Sequence, residues 1–376
     1  MQYQSTVFGQ LLKELPRGWF ARTAARHKTG RTKRRLEPWA HLVSMVFAQL
    51  SGARGLREVE RALERQGGVL AHLGLGQVRR STLADANADR PAGLFEEVAA
   101  YLSARLIGRS VGREAVRLID ATRIFAGKRV EQWARGGVKL HVVFDPDAER
   151  PTCFVVTSER VTDVTVAKSL PIEPGATYVF DRGYYDFGFW ARLAQQGCRF
   201  VTRLKSNSPT TMLEERPPCG HGIVFDRVVQ LSQRLASQRA NPMSGPVRMI
   251  GVKIETGRQI VLLSNDLDSP ATLIAQLYKT RWQIELFFKW VKQNLKLAHF
   301  FGTSRNAVTT QIMAALIAYL LLRAAQIRYH ATLGLQAIAR LMPSFILVRR
   351  ILLDLLSATD PGPPNAQTRQ MQLAYA

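Results

Sequence analysis

Apolar and polar positions change their spacing along the chain, and each change predicts a different architecture. Up to about residue 110 apolar residues recur at helical spacing, in segments such as WAHLVSMVFAQLSG and GLREVERALERQGGVLAHLGL that close near glycine. RRSTLADANADRP predicts another short helix, capped at Ser81 or Thr82 and ended near Pro91. Two short helices around HLGLGQVRRSTLADAN would suit a helix-turn-helix. From about 113 the apolar runs shorten and gain β-branched residues. EAVRLIDATRIF, VKLHVVFD, PTCFVVTSER, ATYVFDRGYY and CRFVTRL read as strands, with DVTVAKSL and DFGFWARLAQQG as helices between them. The order is β-β-β-α-β-α-β. Residues 206–269 are mixed, with proline-rich loops and a hairpin at VRMIGVKIETGRQIVLLSN. A long helix is expected from 270 through about 297. The chain is helical again beyond 305, and the tail from 358 has the composition of a disordered segment.

The long helix carries an unusual pattern. Wound at roughly 100° per residue, LYKTRWQIELFFKWVKQNLKL places Tyr278, Arg281, Glu285, Lys289, Lys292 and Lys296 on one narrow stripe. Ile284, Phe288, Val291 and Leu295 form an apolar flank on one side, and Trp282, Leu286 and Trp290 form another. An ordinary surface helix has a single apolar face. A polar stripe between two apolar ones suggests the wall of a cleft, whereas a solvated face would need only an Arg281–Glu285 pair at i,i+4.

Composition narrows the partner. The chain has 376 residues, 46% of them hydrophobic, which is enough for two or three domains with real cores. Its 52 Lys and Arg against 29 Asp and Glu give a net charge of +23, which favours a polyanion, nucleic acid before anionic membrane. The apolar run from Ile312 to Leu322 falls short of the roughly 20 residues that span a bilayer and reads as a buried core helix. No signal peptide is visible and no basic amphipathic helix suits a membrane surface. Cys153, Cys198 and Cys219 have neither disulfide nor zinc spacing, so a reducing bacterial cytoplasm is expected. Basic clusters at Arg31 to Arg35 and at Arg79 and Arg80 suit phosphate contact.

Three acids stand out. Asp120 and Asp181 are each read at the end of an apolar strand, and Glu285 lies in the polar stripe. A lone strand-end Asp is more often a turn former than a catalyst. The element order changes this reading, because three antiparallel strands, a crossover helix and two more strands describe a ribonuclease-H-like α/β fold with a mixed five-stranded sheet. Its first and fourth strands are neighbours, so Asp120 and Asp181 would stand side by side and a helix could bring Glu285 to them. Three such carboxylates need counter-charge, which two Mg²⁺ ions about 3.5–4 Å apart would supply.

With these residues in view, the chain resembles the insertion-sequence-4 family of DDE transposases. The family's Tyr-Arg-Glu-Lys signature matches Tyr278, Arg281, Glu285 and Lys292 at the required spacing. DRGY at Asp181 to Tyr184 and IDAT at Asp120 resemble the segments that carry its two aspartates. The resemblance covers most of residues 1 to about 330. It implies cut-and-paste transposition: Asp120, Asp181 and Glu285 as catalytic metal ligands for two Mg²⁺ (Mn²⁺ can substitute), with Tyr278, Arg281 and Lys292 gripping DNA phosphates. Hydrolysis at the element end would free a 3′-OH that attacks the other strand or target DNA. The implied partners are double-stranded DNA, as terminal inverted repeats and target, and a second copy in a homodimer on the nucleoid. No membrane is implied. The expected organisation is an all-α DNA-binding domain at 1–110, the catalytic domain at 111–205 and 270–330, a β-rich insertion at 206–269, helices at 331–357 and the tail at 358–376. Two other readings use the same features: a ribonuclease-H-like nuclease or junction resolvase without strand transfer, and a DNA-binding protein derived from a transposase. The separate basic helical region argues against the first and the intact acid triad against the second.

Overall fold

The computed structural model describes residues 5–27, 36–66, 70–106, 114–124, 134, 137–205, 208–233, 240–295 and 300–357. The basic cluster at Arg31 to Arg35, Lys296 and the tail from 358 lie outside the described residues.

Every element described before residue 114 is helical: α1 (Val7–Leu12), α2 (Arg17–Arg26), α3 (Pro38–Leu50), α4 (Leu56–Glu64), α5 (Arg80–Asp89) and α6 (Gly93–Arg105). Among the described residues, which leave out 67–69, the expected helix-turn-helix is not seen. Its first half is a three-residue 3₁₀ turn, Ala71–Leu73, stopped at Gly74, which takes a left-handed φ of 75°. Ser81 and Thr82 lie inside α5 rather than capping it, since the helix begins at Arg80.

The sheet begins with β1 (Val116–Ile124), β2 (Val138–Asp145) and β3 (Arg150–Ser158). The chain continues through α7 (Asp163–Ala167), β4 (Thr177–Phe180), α8 (Phe187–Gln195) and β5 (Arg199–Arg203). The spatial order of these strands is β3-β2-β1-β4-β5. β1 is antiparallel to β2 and parallel to β4, as the element order predicts. The sheet does not stop at five strands. β6 (Thr210–Arg216), β7 (Ile223–Leu231), β8 (Val247–Lys253) and β9 (Gln259–Ser264) extend it to nine, because β9 returns antiparallel to β5 with Val201 opposite Ser264. The strands of the expected β-rich insertion therefore extend the catalytic sheet.

After β9 come α9 (Ala271–Thr280), α10 (Trp282–Asn294), α11 (Arg305–Arg328), α12 (Leu335–Phe345) and α13 (Leu352–Leu356). The expected single helix over 270–297 is two helices. Around Arg281 the ladder tightens to i→i−3 bonds, from Arg281 N–H to Tyr278 O and from Ile284 N–H to Arg281 O.

Alternating residues send the two faces of the sheet into different cores. Leu118, Leu140, Val142 and Val179 join α10, α11 and the N-terminal helices in one cluster. Ile119, Val143, Tyr178 and Phe180 pack with α7 and α8 in the other. At the centre of the first cluster lies α11. By length and composition this 24-residue helix could cross a membrane, but 89% of its most apolar window is buried inside the protein. The N-terminal helices α3 and α6 pack directly on it, so residues 1–110 share one continuous core with the catalytic half.

Candidate active site on β1, β4 and α10

The last β1–β4 pair is Ile119 beside Phe180. Asp120 and Asp181 are the next residues of two parallel neighbours, so they leave adjacent strands at the same level. Asp120 is not a strand end, contrary to the reading of the sequence. β1 continues to Ile124 along β2, with Asp120 opposite Val142. It sits instead where β4 stops and a two-stranded ribbon runs on. Strand alternation puts Asp120 on the face of Leu118 and Val142, the face covered by α10.

Asp181 caps a 3₁₀ turn at Arg182–Tyr184, where its Oδ1 accepts the Gly183 N–H at 2.7 Å. A Cβ on Gly183 would stand 2.9 Å from that oxygen, so a larger residue there would have to push the Asp181 carboxylate aside. Thr202 of β5 steadies the turn by donating to the Asp181 carbonyl at 3.3 Å. Beneath it Tyr184 is fully buried, and burial, reinforced by Asp120, Asp163 and Asp181, holds its phenol well above the usual range.

Glu285 comes from α10, whose buried flank of Ile284, Phe288 and Val291 docks the helix on the core. The stripe does border a cleft, but its other flank is split: Trp290 packs on Tyr319, ring centroids 5.0 Å apart, while the rest of that flank is largely uncovered. Trp282 and Leu286 are 50% and 44% exposed. A cleft of about 440 Å³ remains between β1 and α10, lined by Asp120, Ala121, Thr122, Glu285, Phe288, Lys289, Lys292 and Gln293. Lys289 and Gln293 were not among the expected site residues, although their i+4 and i+8 spacing from Glu285 was a usable signal.

Charge in this cleft is unbalanced. Burial pushes the Asp120 carboxyl up to about 7, and the negative charges of Asp181 and Glu285 add to the effect. Arg281 opposes them. Its guanidinium lies 2.6 Å from Glu285 Oε1 and 3.8 Å from Asp120 Oδ2. Burial pulls the guanidinium down, but Tyr278, Glu285 and Asp120 outweigh burial and raise it. The Tyr278 ring packs 5.7 Å from the guanidinium carbon, and burial raises its phenol. Of the three expected phosphate-binding positions, only Lys292 lines the cleft, where burial lowers its ammonium. Arg281 is turned into the acids with Tyr278 against it. Lys139 and His141 project to the opposite face, where Lys139 meets Asp163 at 3.0 Å and His141 meets Thr157 at 2.8 Å.

Three carboxylates are hard oxygen donors of the kind that hold Mg²⁺, and their surplus negative charge calls for a cation. Among the described residues no three His, Cys, Asp or Glu side chains are gathered tightly enough to hold a metal ion as they stand. Arg281 supplies the counter-charge between Asp120 and Glu285.

The family profile described as Transposase DDE domain matches residues 112–321, more than half of the chain and all three acids. The chain belongs to the DDE transposases. A protein of Sinorhizobium fredii named as a transposase is 39% identical over 308 residues, 78% of this chain and 85% of that one. A Geobacillus stearothermophilus protein named as a transposase for insertion sequence element IS5377 is 32% identical over 216 residues, 55% of this chain and 56% of its own. A profile of a domain of unknown function, DUF4372, matches residues 3–76. The cryo-EM structure of the piggyBac transposase synaptic complex with hairpin DNA aligns over 98% of this chain and 83% of its own, at 9% identity and a TM-score of 0.48. This DDE transposase is an enzyme acting on DNA, and its family implies chemistry dependent on a divalent metal.

Proposed function

We propose that this transposase cuts and joins the ends of an insertion element of the insertion-sequence-4 type, with Asp120, Asp181 and Glu285 as its metal ligands. The observation that carries the reading is the convergence of these acids. Two come from adjacent parallel strands in register, and the third faces Asp120 across a cleft from α10. When bound, a pair of Mg²⁺ ions, for which Mn²⁺ substitutes, supplies Lewis-acid activation of the phosphodiester and of the attacking water. The protein's own residues do the rest. Asp120 and Asp181 fix the catalytic point on the sheet, and Glu285 closes it from α10. Release of Arg281 from Asp120 and Glu285 frees both acids for cations and frees a planar guanidinium for a phosphate. Tyr278 steadies that guanidinium, while Lys289 and Lys292 hold the strand backbone along the cleft. The liberated 3′-OH, held at the same point, attacks the second strand or target DNA.

The Tyr278, Arg281, Glu285 and Lys292 spacing supports the family assignment within the DDE transposases. The organisation proposed is residues 1–110 as the part that reads terminal inverted repeats, 111–205 with 270–330 as the catalytic part, and 206–269 as its β-rich insertion. The helices at 331–357 and the tail at 358–376 complete the chain. It works as a homodimer on DNA at the bacterial nucleoid.

The deciding experiment incubates the protein with labelled element ends and Mg²⁺. Joined products are expected, and Ala at Asp120, Asp181 or Glu285 should abolish cleavage while leaving end binding largely intact. Nicks without joining would make the protein a nuclease. Binding alone would make it a DNA-binding descendant. Full cleavage by Glu285→Ala would remove that residue from the site.

A further inference from the structure

A second concavity, about 740 Å³, opens between α4, the start of α5 and the segment that follows α10. Arg54, Arg57, Arg61 and Arg80 line it together with Phe300 and Phe301. Two acids, Glu58 and Asp85, share the lining, which leaves an excess of positive charge. The arrangement is built rather than accidental. On α4, Leu56, Val59 and Leu63 are buried, which turns Arg57 and Arg61, one turn apart, outward together. Glu60 accepts the Arg80 N–H at 2.9 Å and so fixes α5 against α4. Gln311 of α11 accepts the Phe301 N–H at 2.7 Å and pins the aromatic pair. Arg57, Arg61 and Arg80 form no ion pair among the described residues.

We infer that this cleft binds unpaired, single-stranded DNA, with phosphates on the arginines and bases on the two phenylalanines. Duplex DNA hides its base faces in the stack and offers a protein mainly phosphates and groove edges. An unpaired strand also offers planar faces, which aromatic side chains take irrespective of sequence. Here cations and rings share one concave surface, the combination that an unpaired strand needs. The cleft also follows directly from the acid site. Gln293 ends the lining of the first cleft and Phe300 belongs to the second. The seven residue steps from one to the other span at most about 25 Å, roughly seven base steps at 3.4 Å. A strand end leaving the acids past Lys289 and Lys292 therefore reaches the phenylalanines within about seven nucleotides. This inference rests on the transposase reading above and adds a destination for the strand that is unpaired or displaced around the cut.

The test measures anisotropy of labelled oligothymidylate and of a blunt duplex of equal length with the full chain, in chelator so that nothing is cut. Wild type should bind the single strand. Arg57→Gln with Arg61→Gln should weaken that binding about tenfold or more. The log–log salt slope should fall by about 1.4, at roughly 0.7 per lost phosphate contact. Phe300→Leu with Phe301→Leu should weaken it about tenfold with an unchanged salt slope, and Trp at the same positions should restore it. Wild-type binding by both double variants would overturn the inference. So would equal losses on oligothymidylate and duplex in the Leu variant, because the rings would then serve only the fold. If the Leu variant does not fold, the surface Arg pair still decides: an unchanged single-strand affinity refutes the cleft. Cleavage of element ends in Mg²⁺ by wild type is read separately. Its absence would refute the catalytic reading whatever the strand-binding result.

Discussion

Arg281 Nη2 lies 2.6 Å from Glu285 Oε1, and the Arg281 side chain is only 15% exposed. This is not the solvated i,i+4 pair that a helix surface would carry at about 0.3–0.5 kcal/mol. The same guanidinium reaches Asp120 at 3.8 Å and so sets one buried positive charge between two acids. Replacing it by Ala should lower the stability of metal-free protein by about 1.5–3 kcal/mol, the range for hydrogen bonds to charged groups. Mg²⁺ should recover most of that loss by supplying the missing positive charge. Thermal melts of wild type and Arg281→Ala in chelator and in Mg²⁺ measure the difference. If Mg²⁺ does not narrow the gap, Arg281 is not the counter-charge of the acids.

Lys292 reaches the cleft from about 10 Å along the helix beyond Glu285. That spacing suits a phosphate next to the scissile one. Lys292→Ala should leave the fold and the first nick nearly intact and slow joining about tenfold or more, as loss of a charge-assisted contact predicts. Lys289→Ala, one turn nearer the acids, should impair nicking as well. Single-turnover assays that resolve the two steps decide the point, and equal rates for both variants and wild type would return the stripe to a passive surface.

The Asp120 carboxyl titrates near 7 because it is buried first and surrounded by other acids second. Its folded pKa is raised above the ordinary value of 3.8, so the native state binds more protons than the unfolded chain between those values. Its contribution is thus present below about pH 4 and lost as pH rises towards 7, on the order of a few kcal/mol. In chelator, wild type should lose stability across this window more steeply than Asp120→Asn. Mg²⁺ binding, which requires the ionised form, should weaken as pH falls below 7. Parallel stability profiles for the two proteins would show that Asp120 does not carry the proton.

Strand positions were legible because alternation and β-branched runs are local signals: VKLHVVFD is β2 residue for residue. The pairing of Asp120 with Asp181 was legible through element order. Contacts made by distant partners were not. Asp120 reads as a strand end because its own segment cannot show that β4 stops first while β2 runs on. That the strands within 206–269 extend the same sheet was not legible, because the Val201–Ser264 pairing that joins them to β5 is non-local. The helical wheel of the long helix assumed one pitch throughout. The tightening at Arg281 breaks that assumption, and Trp282 and Leu286 stay about half exposed. Sequence spacing offered Arg281 a single partner in Glu285; its second, Asp120, comes from a strand roughly 160 residues earlier.

A buried ion pair in the extended part of the sheet is bonded to the residue that leads into α9. Arg248 of β8 grips Asp226 of β7 through two bonds, Nε to Oδ1 at 2.8 Å and Nη2 to Oδ2 at 2.6 Å, with both side chains 5% exposed. Its remaining nitrogen donates to the Ser269 carbonyl, just before the helix that leads to Tyr278 and Glu285. Arg248→Ala would strand a buried carboxylate and should destabilise the protein by about 3–5 kcal/mol. Arg248→Leu with Asp226→Leu removes both charges and should regain most of that stability, since apolar replacement of a whole buried pair is often neutral. The double variant still lacks the donor to Ser269, so its cleavage rate should remain below wild type although it is folded. Denaturant melts and a cleavage assay on the same preparations separate the two effects. A double variant as unstable as Arg248→Ala would mean that the stranded Asp226 is not the cause. One that cleaves at the wild-type rate would show that the Ser269 contact does not set the position of the catalytic helix.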